Sequence, residues 1–290
     1  MSVNPSTTPS ATTLGTLFIV ATPIGNLGDI STRALQVLQT VDMIAAEDTR
    51  HSGRLLAQFT ISVPMMAYHD HSDERRQQQL LDHLLAGKAV ALISDAGTPL
   101  ISDPGYGLVK AARDLGVTVV PVPGPCALIA ALSVSGLPSD RFIFDGFLPA
   151  KSNARRTYLE TVTQEQRTLI VYESTHRIVD ALADMIAILG PQRLAVIARE
   201  LTKTYETLLS GTLEQLQAQV LDDANQQRGE FVILVAGYQP EAATMDKDAT
   251  DTMKILLEEL PIKQAAAIGA RLTGLKKRDL YQWALGERSE

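Results

Sequence analysis

Short apolar segments alternate with longer amphipathic stretches along the first half of this 290-residue chain. Five segments have the length and composition of buried strands: near 17–21, 42–46, 63–67, 89–94 and 117–121. The stretch 73–86 between two of them places four leucines on one helical stripe, and Gly87 follows it as a stop signal. This alternation predicts an α/β fold in which helices pack on a sheet.

The second half of the chain repeats the alternation after an interruption at 147–156, which is rich in turn residues and predicts a hinge. Strands are predicted near 168–172, 193–198, 206–210 and 230–236, with helices near 154–162, 175–189 and 212–224. The predicted organisation is a frayed tail over 1–13, an N-terminal α/β domain over 14–146, a second and smaller α/β domain over 147–238, a polar linker over 239–250 and a helical extension over 251–290.

The helical extension combines a short turn with an uneven charge distribution. Three helices are predicted near 251–260, 263–272 and 276–285, and the Gly274 turn between the last two is typical of a helix-turn-helix. Residues 241–259 hold six acids and two bases, whereas 263–278 hold five bases and no acid. The pattern is equally compatible with a nucleic-acid contact through those bases and with a helical cap that has a solvated face. The five bases are Lys263, Arg271, Lys276, Lys277 and Arg278.

Composition and charge exclude several classes of protein. A net charge of -7 and a pI near 5.3 exclude a surface that is basic throughout, so any RNA contact must be local. The longest apolar runs have five to seven residues, and the first residues lack the basic start and apolar core of a signal, which predicts a cytoplasmic protein without a membrane span. The single Cys126 and five scattered histidines predict no metal site, even at His69-Asp70-His71.

Three Gly/Pro-rich loops follow predicted strands, whereas the common phosphate-binding, Ser-hydrolase and zinc-protease motifs are missing. The loops are Thr22-Pro23-Ile24-Gly25-Asn26-Leu27, the run from Ser94 to Gly105 (SDAGTPLISDPG) and Val122-Pro123-Gly124-Pro125-Cys126-Ala127. Ligands of open α/β sheets bind beyond the carboxyl ends of strands, so these loops predict one binding cleft. Taken alone, the first loop is better explained as an ordinary strand-to-helix turn.

Charged residues also follow the predicted strands. Glu47, Asp48 and Arg50 end one strand, and Arg50 either serves the substrate or pairs with an acid at a helix start. Glu200 and Lys203 follow another strand in the second half. Buried strand ends seldom carry so many charges for packing alone, which favours a role in chemistry.

Six motifs carry a resemblance to a known family. They are VATPIGNLGDIS from Val20, AAEDTRHS from Ala45, ISDAGTPLISDPG from Ile93, VPGPCALIAAL from Val122, YESTHR from Tyr172 and ARELTK from Ala198. Over about 17–238 the chain resembles the tetrapyrrole (corrin/porphyrin) methylase superfamily, and within it the branch that methylates a cytidine 2′-hydroxyl in small-subunit ribosomal RNA. Tetrapyrrole-modifying members usually have Gly-Asp-Pro where this chain has Gly97-Thr98-Pro99, which favours the RNA-directed branch.

The resemblance implies two α/β domains with S-adenosylmethionine in the cleft between them, and a homodimer. The implied cofactor contacts are Pro23, Ala96, Gly97, Thr98, Pro99, Ile101, Cys126, Ala127, Tyr172, Gly229 and Glu230. The implied substrate is small-subunit ribosomal RNA or the small subunit itself, with Arg50 as a further RNA contact.

The expected reaction is an in-line methyl transfer, so a nearby base would help to remove the hydroxyl proton. The candidates are Asp48, Asp95, Glu200 and Lys203. Two alternatives remain at this point. A tetrapyrrole methyltransferase would share the cofactor site but would not need the basic helices. A non-enzymatic RNA-binding or ribosome-assembly module would not need the three shaped loops.

Overall fold

The structure, a computed structural model, describes residues 14–69, 74–239, 245 and 247–287. The chain divides into two compact units, the first ending at Gly237 and the second beginning at Tyr238. The first unit contains two five-stranded sheets, and the second unit is helical. The two sheets with their helices, together with the helical extension, confirm the predicted fold class.

The first sheet is parallel throughout, in the order β3-β2-β4-β1-β5. Its strands are β1 Thr16–Val20, β2 Met43–Ala46, β3 Met65–Ala67, β4 Val90–Ile93 and β5 Thr118–Val122. The helices between them are α1 Thr32–Thr40, α2 Thr49–Gln58, α3 Glu74–Leu85 and α4 Tyr106–Asp114. Both faces of β4 are buried, so its run Val-Ala-Leu-Ile is apolar without alternation, as is typical of a covered parallel strand.

The second sheet is mixed, in the order β6-β7-β10-β8-β9. Its strands are β6 Phe142–Phe147, β7 Thr168–Ser174, β8 Leu194–Arg199, β9 Thr207–Thr212 and β10 Glu230–Val235. Only the β6–β7 pairing is parallel among the pairs described, and β10 runs antiparallel to both of its neighbours. The carboxyl ends of β6, β7 and β8 therefore meet the first residues of β10 at one edge.

Helices cover both faces of the second sheet. The helix α5, Ala127–Ser135, is almost wholly apolar and packs Leu128 and Leu132 against one face. The other face is covered by α6 Ser152–Thr161, α7 Ile178–Leu189 and α8 Leu213–Asp222. The capping box of Thr212 and Gln215 begins α8, because the two side chains satisfy each other's free backbone N–H groups.

The domain limits differ from the sequence-based prediction at two places. The strand β6 joins the second sheet from Phe142, ahead of the predicted boundary at 146/147, and the predicted hinge 147–156 contains the end of β6 and the start of α6. Its polar residues misled the prediction because Arg155 is buried and pairs with Asp184 at 2.7 Å. The predicted linker 239–250 overlaps the first helix of the second unit, and most of the remaining linker residues lie outside the described ranges.

The helical unit has three helices in the described residues: α9 Lys247–Glu259, α10 Ile262–Thr273 and α11 Lys277–Glu287. Its small core includes Met253 and Leu280, and Gly269 lets the α9 side chain approach because a Cβ there would lie 2.4 Å from Met253 Sδ. Gly274, at φ +75°, ends α10. None of the described helices combines the length and the apolar composition that a bilayer span requires.

Candidate active site

A cavity of about 320 Å³ lies where the carboxyl edge of the first sheet faces the corresponding edge of the second. Eight of the predicted cofactor contacts line it: Ala96, Gly97, Thr98, Ile101, Cys126, Ala127, Tyr172 and Glu230. Three of the proposed bases also line it: Asp95, Glu200 and Lys203. The remaining predicted cofactor contacts are next in sequence to lining residues: Pro23, Pro99 and Gly229. Asp48 likewise follows the lining residue Glu47. The cavity thus joins segments that are far apart in sequence.

The loop after β4 forms the first wall. Gly97 at φ +87° exchanges two backbone hydrogen bonds with Thr22, at 2.8 and 3.1 Å, which ties this loop to the loop after β1. The Thr98 hydroxyl donates to the Pro125 carbonyl at 2.9 Å and adds the loop after β5. Leu100 at φ +73° and Ser102 at φ +65° hold backbone conformations that side chains disfavour. Such strain is characteristic of functional loops in which surrounding bonds fix the geometry.

A lysine between two carboxylates forms the second wall. Lys203 Nζ donates to Glu200 Oε1 and to Glu230 Oε2, both at 2.8 Å. Burial lowers the pKa of Lys203, but the hydrogen bonds to both glutamates outweigh it and hold the pKa above its ordinary value. Burial raises the pKa of Glu200, and the bonds from Lys203 and the Glu230 backbone bring it below the ordinary value. Lys203 therefore stays protonated and Glu200 stays ionised near neutral pH.

The loop after β1, which is tied to the first wall, touches the second wall directly. The Asn26 backbone N–H donates to Thr202 Oγ1 at 3.1 Å, and a Cβ on Gly25 would lie 2.4 Å from Lys203 Cγ. Glycine is required at position 25 for this close approach. On the other side of the cavity, the Leu128 N–H donates to the Tyr172 hydroxyl at 3.2 Å and joins α5 to β7.

Asp95 and Asp48 occupy different surroundings although both were proposed as bases. Asp95 Oδ1 accepts the Asp48 backbone N–H at 3.1 Å, and Asp95 lines the cavity. The Asp48 side chain instead accepts the Arg50 N–H at the start of α2 and pairs with the Arg50 guanidinium at 3.0 Å. Those hydrogen bonds lower the pKa of Asp48 to about 2. Arg50 is 87% exposed, so this pair lies at the surface.

Several residues that line the cavity are not among the predicted site residues. The most unusual is Glu173, which is buried and accepts the Ser174 N–H at 2.8 Å and an N–H of Arg177 at 3.2 Å. Burial raises the pKa of Glu173 in spite of those bonds. Phe147 packs edge-on against Tyr172, with ring centroids 5.7 Å apart. Glu173 lies inside the motif YESTHR at the end of β7. A charged residue at the end of an apolar strand was the sequence feature that could have identified it.

The charge of the cavity lining is strongly negative. Among the described residues, six carboxylates line it against one lysine: Glu47, Asp95, Asp103, Glu173, Glu200 and Glu230, with Lys203. Apolar groups such as Ile101 and Phe231 form the rest of the wall. This combination suits a ligand that has both a positive charge and an apolar or aromatic part.

The predicted RNA contacts of the helical unit are all exposed, and none has an ion-pair partner in the part of the chain described: Lys263, Arg271, Lys276, Lys277 and Arg278. The five bases lie on α10, on α11 and at the turn between them. No group of three metal-ligating side chains occurs within the described ranges, and Asp70 and His71 lie outside them.

Two family models and several named proteins match this chain. The family model described as Tetrapyrrole (Corrin/Porphyrin) Methylases matches residues 16–217, and the model described as RsmI C-terminal HTH domain matches 243–289. A Pseudomonas aeruginosa protein named ribosomal RNA small subunit methyltransferase I is 57% identical, with 93% of this chain and 97% of that protein covered. The protein of the same name from Escherichia coli O157:H7 is 53% identical, with 94% and 96% covered.

Solved structures share the fold at low identity. The methyltransferase CobJ matches with a TM-score of 0.57 at 17% identity, covering 77% of this chain and 94% of that one. The uroporphyrin-III C-methyl transferase of Thermus thermophilus, solved with S-adenosyl homocysteine, matches with a TM-score of 0.52 at 19% identity, covering 76% and 97%. The chain belongs to the tetrapyrrole (corrin/porphyrin) methylase family and, within it, to the group of ribosomal RNA small subunit methyltransferase I proteins.

Proposed function

We propose that this chain transfers a methyl group from S-adenosylmethionine to the 2′-hydroxyl of a cytidine in small-subunit ribosomal RNA. The observation that carries the proposal is identity above 50%, over nearly the whole chain, with proteins named for methylation of small-subunit ribosomal RNA. The match of 243–289 to a helix-turn-helix model supports it, since a small-molecule enzyme would not need such a unit.

The cavity fits S-adenosylmethionine in both size and charge. Its volume of about 320 Å³ lies in the usual range of small-molecule sites. When bound, this cofactor supplies a methyl group on a positively charged sulfonium. The six carboxylates of the lining suit the sulfonium and ammonium charges, and the missing side chain at Gly97 leaves room for a planar base. We propose the eleven predicted cofactor residues as its contacts, with Glu173 as an addition.

We propose Asp95 as the group that accepts the proton from the ribose hydroxyl. Lys203 already holds its proton, and Glu200 is engaged by Lys203 and by the Glu230 backbone. Asp48 caps α2 and has a pKa of about 2, which makes it a weak base. Asp95 lines the cavity and has no such cation beside it among the described ion pairs. As the oxygen–carbon bond forms and the carbon–sulfur bond breaks, the hydroxyl proton passes to Asp95 and S-adenosylhomocysteine leaves.

The five exposed bases on α10, on α11 and at the turn between them supply a local positive surface for RNA phosphates. Arg50 is a further proposed contact, although its guanidinium is already paired with Asp48. We also propose that the chain acts in the cytoplasm, where ribosomal subunits are assembled, and as a homodimer in keeping with the family resemblance.

The deciding experiment gives the protein radiolabelled S-adenosylmethionine with small ribosomal subunits in one reaction and a tetrapyrrole such as uroporphyrinogen III in another. Label on a ribose 2′-oxygen, found as an alkali-resistant dinucleotide, is the expected result. Label on the tetrapyrrole would establish the alternative enzyme. RNA binding without any transfer of label would establish an assembly module and overturn the proposal.

A further inference from the structure

A second, polar groove of about 700 Å³ adjoins the cavity in the same unit. Its lining includes Arg199, Glu200, Tyr205, Asn225 and Arg228, and we call it the Tyr205 groove. Glu200 lines both the cavity and the Tyr205 groove, so the two spaces share a wall. A chain-like ligand that enters the cavity can therefore continue into the groove.

A buried guanidinium lies under the groove. Arg199 is only 7% exposed, and its Nε donates to the Arg228 carbonyl at 2.6 Å. Its Nη1 donates to the Tyr205 carbonyl at 3.0 Å and to Thr207 Oγ1 at 3.3 Å. All of these acceptors are neutral, and no carboxylate in the described ranges lies within ion-pair distance of Arg199. The charge of Arg199 already acts on two nearby carboxyls, because it helps to lower the pKa of Glu200 and of Asp223. Arg199 therefore serves to hold the backbone under the groove in place.

The two glutamates of the groove each accept a hydrogen bond, and Glu200 is also paired with a cation. Glu200 is held by Lys203 at 2.8 Å, and Glu206 Oε2 accepts the Thr202 N–H at 2.6 Å. The side chains of Tyr205 and Arg228 are different, because both are exposed and neither has a side-chain hydrogen bond or ion pair in the described structure. Tyr205 is 73% exposed, which leaves the ring free to stack.

A free aromatic ring beside a free guanidinium is a combination with which proteins hold an unstacked nucleotide. Single-stranded RNA is bound by stacking bases on aromatic rings and by placing phosphates against arginine. Because Arg199 fixes the backbone at both Tyr205 and Arg228, the two exposed side chains project from anchored positions.

We propose that the Tyr205 groove binds the nucleotide next to the methylated ribose, with its base stacked on Tyr205 and its phosphate against Arg228. This inference rests on the proposed function, since it names a further part of the same RNA substrate. It adds a recognition element that lies on the second sheet rather than on the basic helices.

The test compares matched variants in methyl transfer to small ribosomal subunits at saturating S-adenosylmethionine. Tyr205→Ala should raise KM for the subunit roughly 5- to 150-fold, the range that one stacked base supplies, while kcat and the affinity for S-adenosylmethionine stay close to wild type. Tyr205→Phe keeps the ring and should restore KM. Tyr106→Ala is the matched control, because Tyr106 is 71% exposed but does not line the groove. An unchanged KM for Tyr205→Ala, or an equal rise for Tyr106→Ala, overturns the proposal.

The phosphate contact has its own readout. Arg228→Gln should reduce the slope of log affinity against log salt by about 0.7 for a fluorescein-labelled oligocytidylate, since one contact is lost. Arg113→Gln removes another exposed arginine and should leave the slope unchanged. If wild type binds the oligonucleotide but transfers no methyl to subunits, the proposed function fails and the groove stands. If methylation proceeds and both groove variants match wild type, the groove fails and the function stands.

Discussion

The two sheets contribute to the cavity in different ways. In the parallel first sheet, β1, β2, β4 and β5 all deliver their following loops to one edge, because every strand runs the same way. In the mixed second sheet, the cavity receives the ends of β6, β7 and β8 but the beginning of β10. The loops that follow strands therefore mark the site in the first sheet. In the second sheet they do not include the site residues at the beginning of β10.

The sheets also differ in what they bury. In the described residues around the first sheet, the buried polar side chains are the neutral Thr22, Ser52 and Ser94. Around the second sheet the buried charged side chains are Arg155, Glu173, Asp184 and Arg199. Both halves have apolar cores, but the second half also buries the pairs Arg155–Asp184 and Arg177–Glu173, which respond to pH and to substitution.

The largest expected effect is a loss of kcat, and it tests whether the catalytic base belongs to the first sheet or to the second. Asp95→Asn keeps an oxygen that can accept the Asp48 N–H, yet it removes the proton acceptor, so kcat should fall about 10²- to 10⁴-fold. The affinity for S-adenosylmethionine, measured by calorimetry, should change little. Glu200→Gln on the second sheet is the comparison, and a larger loss of kcat there than in Asp95→Asn would move the base to the second sheet.

Removal of a buried charge should destabilise the second half. Burial raises the pKa of Asp184, but hydrogen bonds from Arg156, Ser152 and Arg155 hold it below the ordinary value. Asp184→Ala leaves Arg155 buried without its partner and should lower the free energy of unfolding by about 3–5 kcal/mol. Asp114→Ala breaks the exposed pair with Lys110 and should have a much smaller effect, because solvent screens exposed ion pairs.

The same pair sets an expected pH dependence. Because the pKa of Asp184 is lowered on folding, its stabilisation is complete above the unfolded value of about 4 and is lost as the pH falls through the lower folded value. Urea unfolding over acidic pH should show a shallower loss of stability in Asp184→Ala than in wild type. Parallel curves for the two proteins would contradict this assignment.

A change at the first wall should affect cofactor binding. Gly97 has φ +87° and a Cβ would lie 3.4 Å from Ile24 Cγ2, so Gly97→Val should weaken S-adenosylmethionine binding by about 100-fold through strain and lost space. Gly136→Val is matched, since Gly136 also has positive φ but nothing within 4 Å of its Cβ position. Equal calorimetric affinities for Gly97→Val and wild type, in folded protein, would remove this loop from the cofactor site.

The smallest effect should arise outside both sheets. Replacing Lys276, Lys277 and Arg278 with Gln should reduce the salt slope of RNA binding by about 0.7 per lost contact, and leave S-adenosylmethionine affinity unchanged. Lys247 and Lys254 are exposed bases on α9 of the same unit, and their replacement with Gln provides the control. Identical slopes for the triple variant and the control would mean that the bases only solvate the helices.

The sequence predicts the first sheet well because apolar runs and the loops after them suffice there. It places the boundary at 146/147 too late, since the irregular β6 (FIFDGF) and the buried Arg155 look like turn and linker residues. Glu173 and the groove residues Tyr205 and Arg228 escape prediction because their importance depends on burial and on neighbours from other strands. The choice among four possible bases likewise needs the hydrogen bonds around Lys203.

The position of β10 has a consequence for how the protein is made. This strand is the last of the second sheet in the chain, yet it fills the centre, between β7 and β8. A growing polypeptide therefore leaves the ribosome with two strand edges exposed until residue 235 emerges, and such edges favour association with other chains. The central pairing is also long in range, which slows folding. Cofactor binding should accordingly arise late in synthesis, after β10 has paired with β7 and β8.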